Sequence, residues 1–229
     1  MAWCVRTGSS FGQFFPQGDF TGWEEARKAY FNAGLTAAED AAIGPVNRIN
    51  SYMLYVSEKF TRDRGPILDH EWPTEYKTVR ALKQIGAIIE VNERLLIVED
   101  DLRALIERFE PGMHRFRPIK VVTKGGKVYP GNHHLLVIGQ FLDCFSFQDS
   151  DPSIVGEIQA GMDPMYYSAQ AYSRQQFAKL AFKSTCQAGK HLWRETKLAG
   201  SDFYISDDLH EAILEAGFKF PNHYRVKDV

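Results

Sequence analysis

Apolar positions in this chain follow two periods, and the change between them falls at Gly86. Before it the spacing is helical. Thr21-Gly22-Trp23-Glu24-Glu25-Ala26 opens a helix with acidic residues in its first turn, where the macrodipole favours them, and that helix runs to Asn32 and stops at Gly34. Thr36 caps a short acidic helix that ends near Gly44-Pro45. From Val46 to Phe60 the apolar set Val46, Ile49, Met53, Tyr55, Val56 and Phe60 predicts a helix with a broad buried face. Gly65-Pro66 and Trp72-Pro73 break the pattern, and a further helix is expected from Glu75 to Gln84, with Val79 and Leu82 facing in. Residues Met1 to Trp23, rich in glycine and aromatics, read as an arm that packs its rings on the core.

After Gly86 the pattern is that of strands. Ala87-Ile88-Ile89-Glu90-Val91 and Arg94 to Val98 are short strand-like runs, and Asp100 to Phe109 is a helix ended by Pro111-Gly112. His114 to Val122 reads as a strand, and Lys124-Gly125-Gly126-Lys127 supplies a hairpin turn. Leu135 to Leu142 does not alternate, which predicts a strand covered on both faces. From Ala178 to Cys186 alternation returns and predicts a half-buried strand, while Ile154 to Ser173 carries no readable pattern. The expected fold is α+β: a mostly helical N-terminal region over 1–86, then a mixed or antiparallel sheet domain over 87–229.

One unit occurs twice in this pattern. Leu96-Ile97-Val98-Glu99-Asp100-Asp101-Leu102 with its helix matches Phe203-Tyr204-Ile205-Ser206-Asp207-Asp208-Leu209 with its helix, at one constant offset. Both end alike, in Phe116-Arg117 and Tyr224-Arg225. Ser206 is a good N-cap, whereas the matching Glu99 is a poor one. Two copies are too few for a solenoid, so they are expected to be similar strand-helix units within the sheet domain.

Composition narrows the function classes. A net charge of −2 removes any composition-level case for nucleic-acid or anionic-membrane binding. No apolar run approaches the roughly 20 residues that span a bilayer, and Met1 to Gly8 lacks a secretory layout. Three widely spaced cysteines, Cys4, Cys144 and Cys186, fit reduced thiols in a cytoplasm.

Gly8-Ser9-Ser10-Phe11-Gly12 lacks the spacing and the Lys-Ser/Thr ending of a P-loop. His133 and His134 point to opposite faces of a strand, so a shared ion is not expected there, and no metal or cofactor is assigned. Cys144 and Cys186 sit in apolar strand patterns, where a small buried hydrophobe is the commoner role. The pairs Asp100-Asp101 and Asp207-Asp208 invite an acid-base reading, but carboxylates at helix starts are explained by the free N–H groups they meet. Arg115, Arg117, Lys120, Lys124 and Lys127 form a basic stretch around a hairpin, which reads as a solvated sheet face and leaves nucleic-acid binding as an alternative. No catalytic set is predicted.

The region from Ala87 to Val226 resembles the immunity protein 11 family. The resemblance is carried by Leu96 to Leu102, by Phe109-Glu110-Pro111-Gly112-Met113-His114 leading into Pro118-Ile119-Lys120-Val121, and by Leu135 to Asp143. Its most specific part is Gly189-Lys190-His191-Leu192-Trp193-Arg194 followed by Ile205-Ser206-Asp207-Asp208-Leu209. The resemblance implies a bacterial cytoplasmic protein that binds the toxic domain of a cognate secreted toxin and occludes it without catalysis. An antidote enzyme with a site assembled from distant residues is the other alternative. For a partner surface, Asp100, Asp101, Asp149, Asp151, Asp207 and Asp208 are the candidates. Trp193 is expected in the core, with Arg194 paired to a carboxylate.

Overall fold

The structure is a computed structural model that describes residues 1–6, 10–158, 166–200 and 202–229. In chain order, β1 (Ala2–Arg6) and β2 (Gly18–Phe20) precede helices α1 (Trp23–Ala33), α2 (Ala37–Ile43) and α3 (Arg48–Glu58). Next come β3 (Glu75–Thr78), β4 (Ile88–Glu90), β5 (Leu96–Glu99), α4 (Asp100–Phe109), β6 (Arg115–Val122) and β7 (His133–Val137). Shorter pieces follow: β8 (Phe141–Leu142), β9 (Phe145–Ser146), β10 (Val155–Ile158), β11 (Tyr166–Ala169), α5 (Arg174–Phe177) and β12 (Ala181–Phe182). The chain closes with β13 (Leu192–Glu195), β14 (Leu198–Ala199), β15 (Phe203–Ser206), α6 (Asp207–Glu215), β16 (Asn222–Arg225) and β17 (Lys227–Asp228). These elements group into two compact units, one of Ser10–Asp100 and Arg115–Val137, the other of Met1–Ser9, Asp101–His114 and Ile138–Val229.

The Ser10–Asp100/Arg115–Val137 unit holds a six-stranded sheet in the order β2-β3-β6-β7-β5-β4, mixed because β3 and β6 run parallel. Its core gathers Ile97, Ile119, Val121 and Leu135 from the strands with Trp23, Tyr52, Val56 and Phe60 from the helical segment. The local signals read from the sequence operate here. Gly34 takes a φ of 116° and stops α1, a conformation that L side chains rarely adopt. Thr36 and Glu39 form a reciprocal capping box that starts α2.

The Met1–Ser9/Asp101–His114/Ile138–Val229 unit holds a five-stranded sheet, β16-β1-β15-β13-β8, and two three-stranded sheets, β10-β11-β14 and β17-β12-β9. Helix α6 packs on β15 and β1. Cys4, Phe177, Phe182, Trp193 and Tyr204 fill its core.

The expected fold class is corrected by this architecture. The N-terminal third is not mostly helical: it contains β1, β2 and β3 beside its helices, and helices are scattered along the whole chain. The helix expected over Glu75 to Gln84 is instead the strand β3, because Tyr76 and Thr78 alternate into the interior while β6 and β2 pair with it on either side. The strand expected from Ala178 to Cys186 shrinks to Ala181–Phe182, since Leu180, Ala181 and Phe182 are all buried and no alternation operates. The reduced-thiol expectation is corrected as well. Cys144 and Cys186 are joined as a disulfide with Cα atoms 5.6 Å apart, and Cys4 is free and buried. Residues 7–9 of the glycine-rich N-terminal stretch, and 159–165 within the pattern-free segment, lie outside the described residues.

Both copies of the repeated unit are a four-residue strand running straight into a helix. The likeness extends to their neighbours. The order β6-β7-β5-β4 in one unit corresponds to β16-β1-β15-β13 in the other, antiparallel throughout. Val98 faces Ile88 and His134, and His134 faces Pro118. Correspondingly Ile205 faces Leu192 and Trp3, and Trp3 faces Arg225. The same sequence separation links Val98 to Ile205 and Pro118 to Arg225, so the register equates Arg225 with Pro118 and not with Arg117. The sequence match at the end of the copies was one residue out.

Candidate functional site

The helix starts that both copies share are where charge, rings and a recess meet. In the first copy the Asp100 N–H donates to the carbonyl of Asn132 (3.0 Å), and His134 Nε2 donates to Asp100 Oδ1 (2.8 Å). In the second, the Asp207 N–H donates to the carbonyl of Met1 (3.2 Å), and Trp3 Nε1 donates to Asp207 Oδ1 (2.8 Å). His134 and Trp3 hold the same register position, so one device occurs twice: a ring N–H on the adjacent strand clamps the first carboxylate of the helix. Trp3 also stacks on His210 of α6, with ring centroids 3.9 Å apart. Ser206 adds the cap read from the sequence, its Oγ accepting the Leu209 N–H.

A recess of about 450 Å³ adjoins the first clamp, lined by Asp100, Lys120, Asn132, His133 and His134 with apolar atoms of β6. Alternation along β7 buries His133 and leaves His134 partly exposed. Burial, and then the neighbouring His134, push the His133 imidazole below its usual pKa and so favour the neutral ring. Asp100 and His134 resemble the carboxylate-imidazole pair of an acid-base catalyst. Two observations favour a structural role. The residues lining the recess include no hydroxyl or thiol nucleophile. The second clamp places an indole, which has no acid-base capacity at neutral pH, where the first has an imidazole.

The six candidate aspartates divide accordingly. Asp100 and Asp207 are held in the clamps. Asp149 accepts from Ser146 Oγ. Asp151 pairs with Lys179 at 2.7 Å and accepts the Ser153 N–H, and these partners, Lys179 foremost, hold it well below the usual carboxylate range. Asp101 and Asp208 stand exposed in the first turns of α4 and α6. Replacing Asp207 by alanine is expected to cost about 1–2 kcal/mol in urea unfolding, because it orphans a donor and removes first-turn charge. Asp208→Ala should stay within about 0.5 kcal/mol. Equal costs for the two would remove the distinction between clamp and free carboxylate.

The basic hairpin does not form one patch. Strand alternation sets Arg117 on the face of Ile119 and Val121, where it pairs with Asp69 (2.7 Å) and lies over the Trp72 ring, and turns Lys120 to the opposite face.

Sequence reasoning missed the buried carboxylates. Glu110 accepts from His114 Nε2 (2.6 Å), Gln140 Nε2 and the backbone N–H groups of His191 (2.8 Å) and Leu192 (3.0 Å). It thereby ties Glu110-Pro111-Gly112-Met113-His114 to Gly189-Lys190-His191-Leu192-Trp193-Arg194, two of the stretches that carry the family resemblance. One signal was available: a carboxylate at the C-terminal end of a helix opposes the macrodipole and needs a specific partner to be there. Trp193 is 0% exposed, a core residue as expected, and its indole N–H donates to buried Glu195 (3.2 Å).

Each of the two mixed-sheet units thus holds the same four-strand module, in which one strand, β5 or β15, runs straight into a helix, and buried Glu110 and Glu195 fasten the Met1–Ser9/Asp101–His114/Ile138–Val229 unit. A family model described as "Immunity protein family (Imm11)" matches residues 23–227. The chain belongs to the Imm11 family of immunity proteins. No curated protein matches it. Among the described residues no helix is long and apolar enough to cross a membrane.

Proposed function

We propose that this chain protects a bacterium by binding the toxic domain of a cognate secreted toxin in the cytoplasm and occluding it, without catalysis. The carrying observation is the family match over most of the chain. The recurrence of the helix-start clamp with tryptophan in place of histidine supports a binding role over acid-base chemistry, and the division of the basic hairpin between two sheet faces weighs against nucleic acid. Exposed Asp101 and Asp208 are the carboxylates left to meet a partner.

A pull-down of the tagged chain from its native bacterium should return one stoichiometric partner, the C-terminal domain of a large secreted protein. That domain should arrest growth when expressed alone and be harmless beside this chain. Asp101→Lys and Asp208→Lys together should weaken the complex by about tenfold or more, through like-charge contacts and lost steering. Recovery of the chain with no protein partner, or multiple turnover of a substrate, would remove the proposal.

A further inference from the structure

A second polar cluster lies in the Ser10–Asp100/Arg115–Val137 unit. Glu39, in the first turn of α2, is 5% exposed. Its Oε2 does all the observed work, accepting from the Thr36 N–H (2.9 Å), the Thr36 hydroxyl (2.7 Å) and the Tyr30 hydroxyl (3.1 Å). Its Oε1 is buried and has no hydrogen-bond partner. A bare carboxylate oxygen inside a protein is costly, and an ion is one of the few things that makes it worth keeping. The Tyr30 ring stacks on His70 at 3.7 Å, and the Tyr52 hydroxyl lies 3.4 Å from His70 Nε2. Glu71, fully buried, follows directly in the chain. Glu39, His70 and Glu71 each bring one potential ligand atom to within 4.8 Å of the other two.

We propose that Glu39, His70 and Glu71 form a binding site for a transition-metal dication of the zinc class, a property beyond toxin neutralisation. One imidazole with two carboxylates is a donor set for zinc. Calcium and magnesium would want about six or more oxygens, or several retained waters. Ligands about 2.0–2.2 Å from a tetrahedral ion sit about 3.4 Å apart, so groups within 4.8 Å of one another need draw in by no more than about 1.4 Å. His70 is only partly buried, which leaves a way in and room for a water as fourth ligand. The tight corner is Glu71, whose Oε1 takes the Lys59 ammonium (2.5 Å) and whose Oε2 takes the Leu68 N–H (2.6 Å). Two carboxylates and one ammonium leave an excess negative charge beside the bare oxygen. A dication more than cancels it, binding Glu71 through a remaining lone pair.

The test is calorimetric titration of the full chain with Zn²⁺, with no toxin present, so its outcome is separate from that of the immunity reading. One equivalent should bind at micromolar affinity or tighter and raise the melting temperature. Glu39→Gln keeps the shape and the cap, and His70→Phe keeps the ring stack on Tyr30. Each should weaken binding at least tenfold while the chain stays folded by circular dichroism. Absence of zinc binding at millimolar concentration, or binding that neither variant alters, overturns the site. Should one variant fail to fold, the other decides.

Discussion

Replacing Glu110 with alanine is expected to cost about 3–5 kcal/mol, the size of effect that follows when one member of a buried charged network is removed. Much of the unit's stability should go with it, since a domain has only about 5–15 kcal/mol to lose. Glu110 is 8% exposed and carries four donors. Alanine leaves the His191 and Leu192 amides, the Gln140 amide and the His114 ring without their acceptor in a space that water fills poorly. Glutamine keeps one acceptor oxygen and should cost roughly half as much. Urea unfolding, followed through tryptophan fluorescence, would read both.

The same hub predicts a pH response. Burial pushes the Glu110 carboxyl up, but the bonds from His114, the His191 N–H and Gln140 together reverse this and leave it below its ordinary value. A folded value below the unfolded one means that the stabilisation is present above the unfolded value and lost as pH falls through the folded one. The acid limb of the wild-type stability curve should therefore be steeper than that of Glu110→Gln. A Glu110→Ala chain that unfolds at the wild-type urea concentration would show that the donors find water and that the hub is not a fastener.

What could be read from the sequence was whatever local chemistry decides. Gly34 ends α1 through its own backbone freedom, and Thr36 with Glu39 starts α2 across a single turn. Gly126, at a φ of 84°, supplies the turn between β6 and the chain leading to β7. The repeated Asp-Asp-Leu was legible for the same reason, since each copy carries its strand and helix in adjacent residues. What depended on distant partners was not legible. β3 is four residues long, and its helical spacing is overruled by β2 and β6, one from far upstream and one from far downstream. β1 alternates too weakly to announce itself, because Ala2, Cys4 and Val5 are all buried between two neighbouring strands. The one-residue slip at Arg225 is of this kind as well, because register is fixed across strands and not along them. At the candidate sites the aspartates were visible as helix starts, but the ring N–H groups that hold Asp100 and Asp207 lie 34 and 204 residues away. Glu110 is 81 residues from the His191 amide it accepts, and no window along the chain connects them.

Glu195 should give the protein a stability loss at neutral pH that runs opposite to the acid response of Glu110. The side chain is 8% exposed and receives the N–H groups of Cys144 (3.1 Å) and Phe145 (3.1 Å) and the Trp193 indole (3.2 Å). Burial outweighs these donors and, with some help from Asp143, raises the carboxyl to about 7. In the unfolded chain a glutamate titrates near 4.3. Between those values the folded state holds a proton that the unfolded state has released. The unfolding free energy must therefore fall as pH rises, with the favourable contribution complete below the unfolded value and gone above about 7. At about 1.4 kcal/mol per unit, the expected loss between pH 4.5 and 7.5 is about 3 kcal/mol. Glu195→Gln cannot ionise, so its stability curve should lack this fall: close to wild type near pH 4, where both side chains are neutral, and gaining on it by about 3 kcal/mol as pH rises to 7.5. The disulfide between Cys144 and Cys186 must be intact in both proteins, because the Cys144 amide is one of the donors that holds the carboxyl. A wild-type curve that rises or stays level from pH 5 to 7 would mean that the three N–H groups outweigh burial and keep Glu195 ionised. The two carboxylates would then respond to acid with the same sign. As the geometry stands they differ because Glu110 has four donors, two of them on each oxygen, whereas Glu195 has three and the charge of Asp143 nearby.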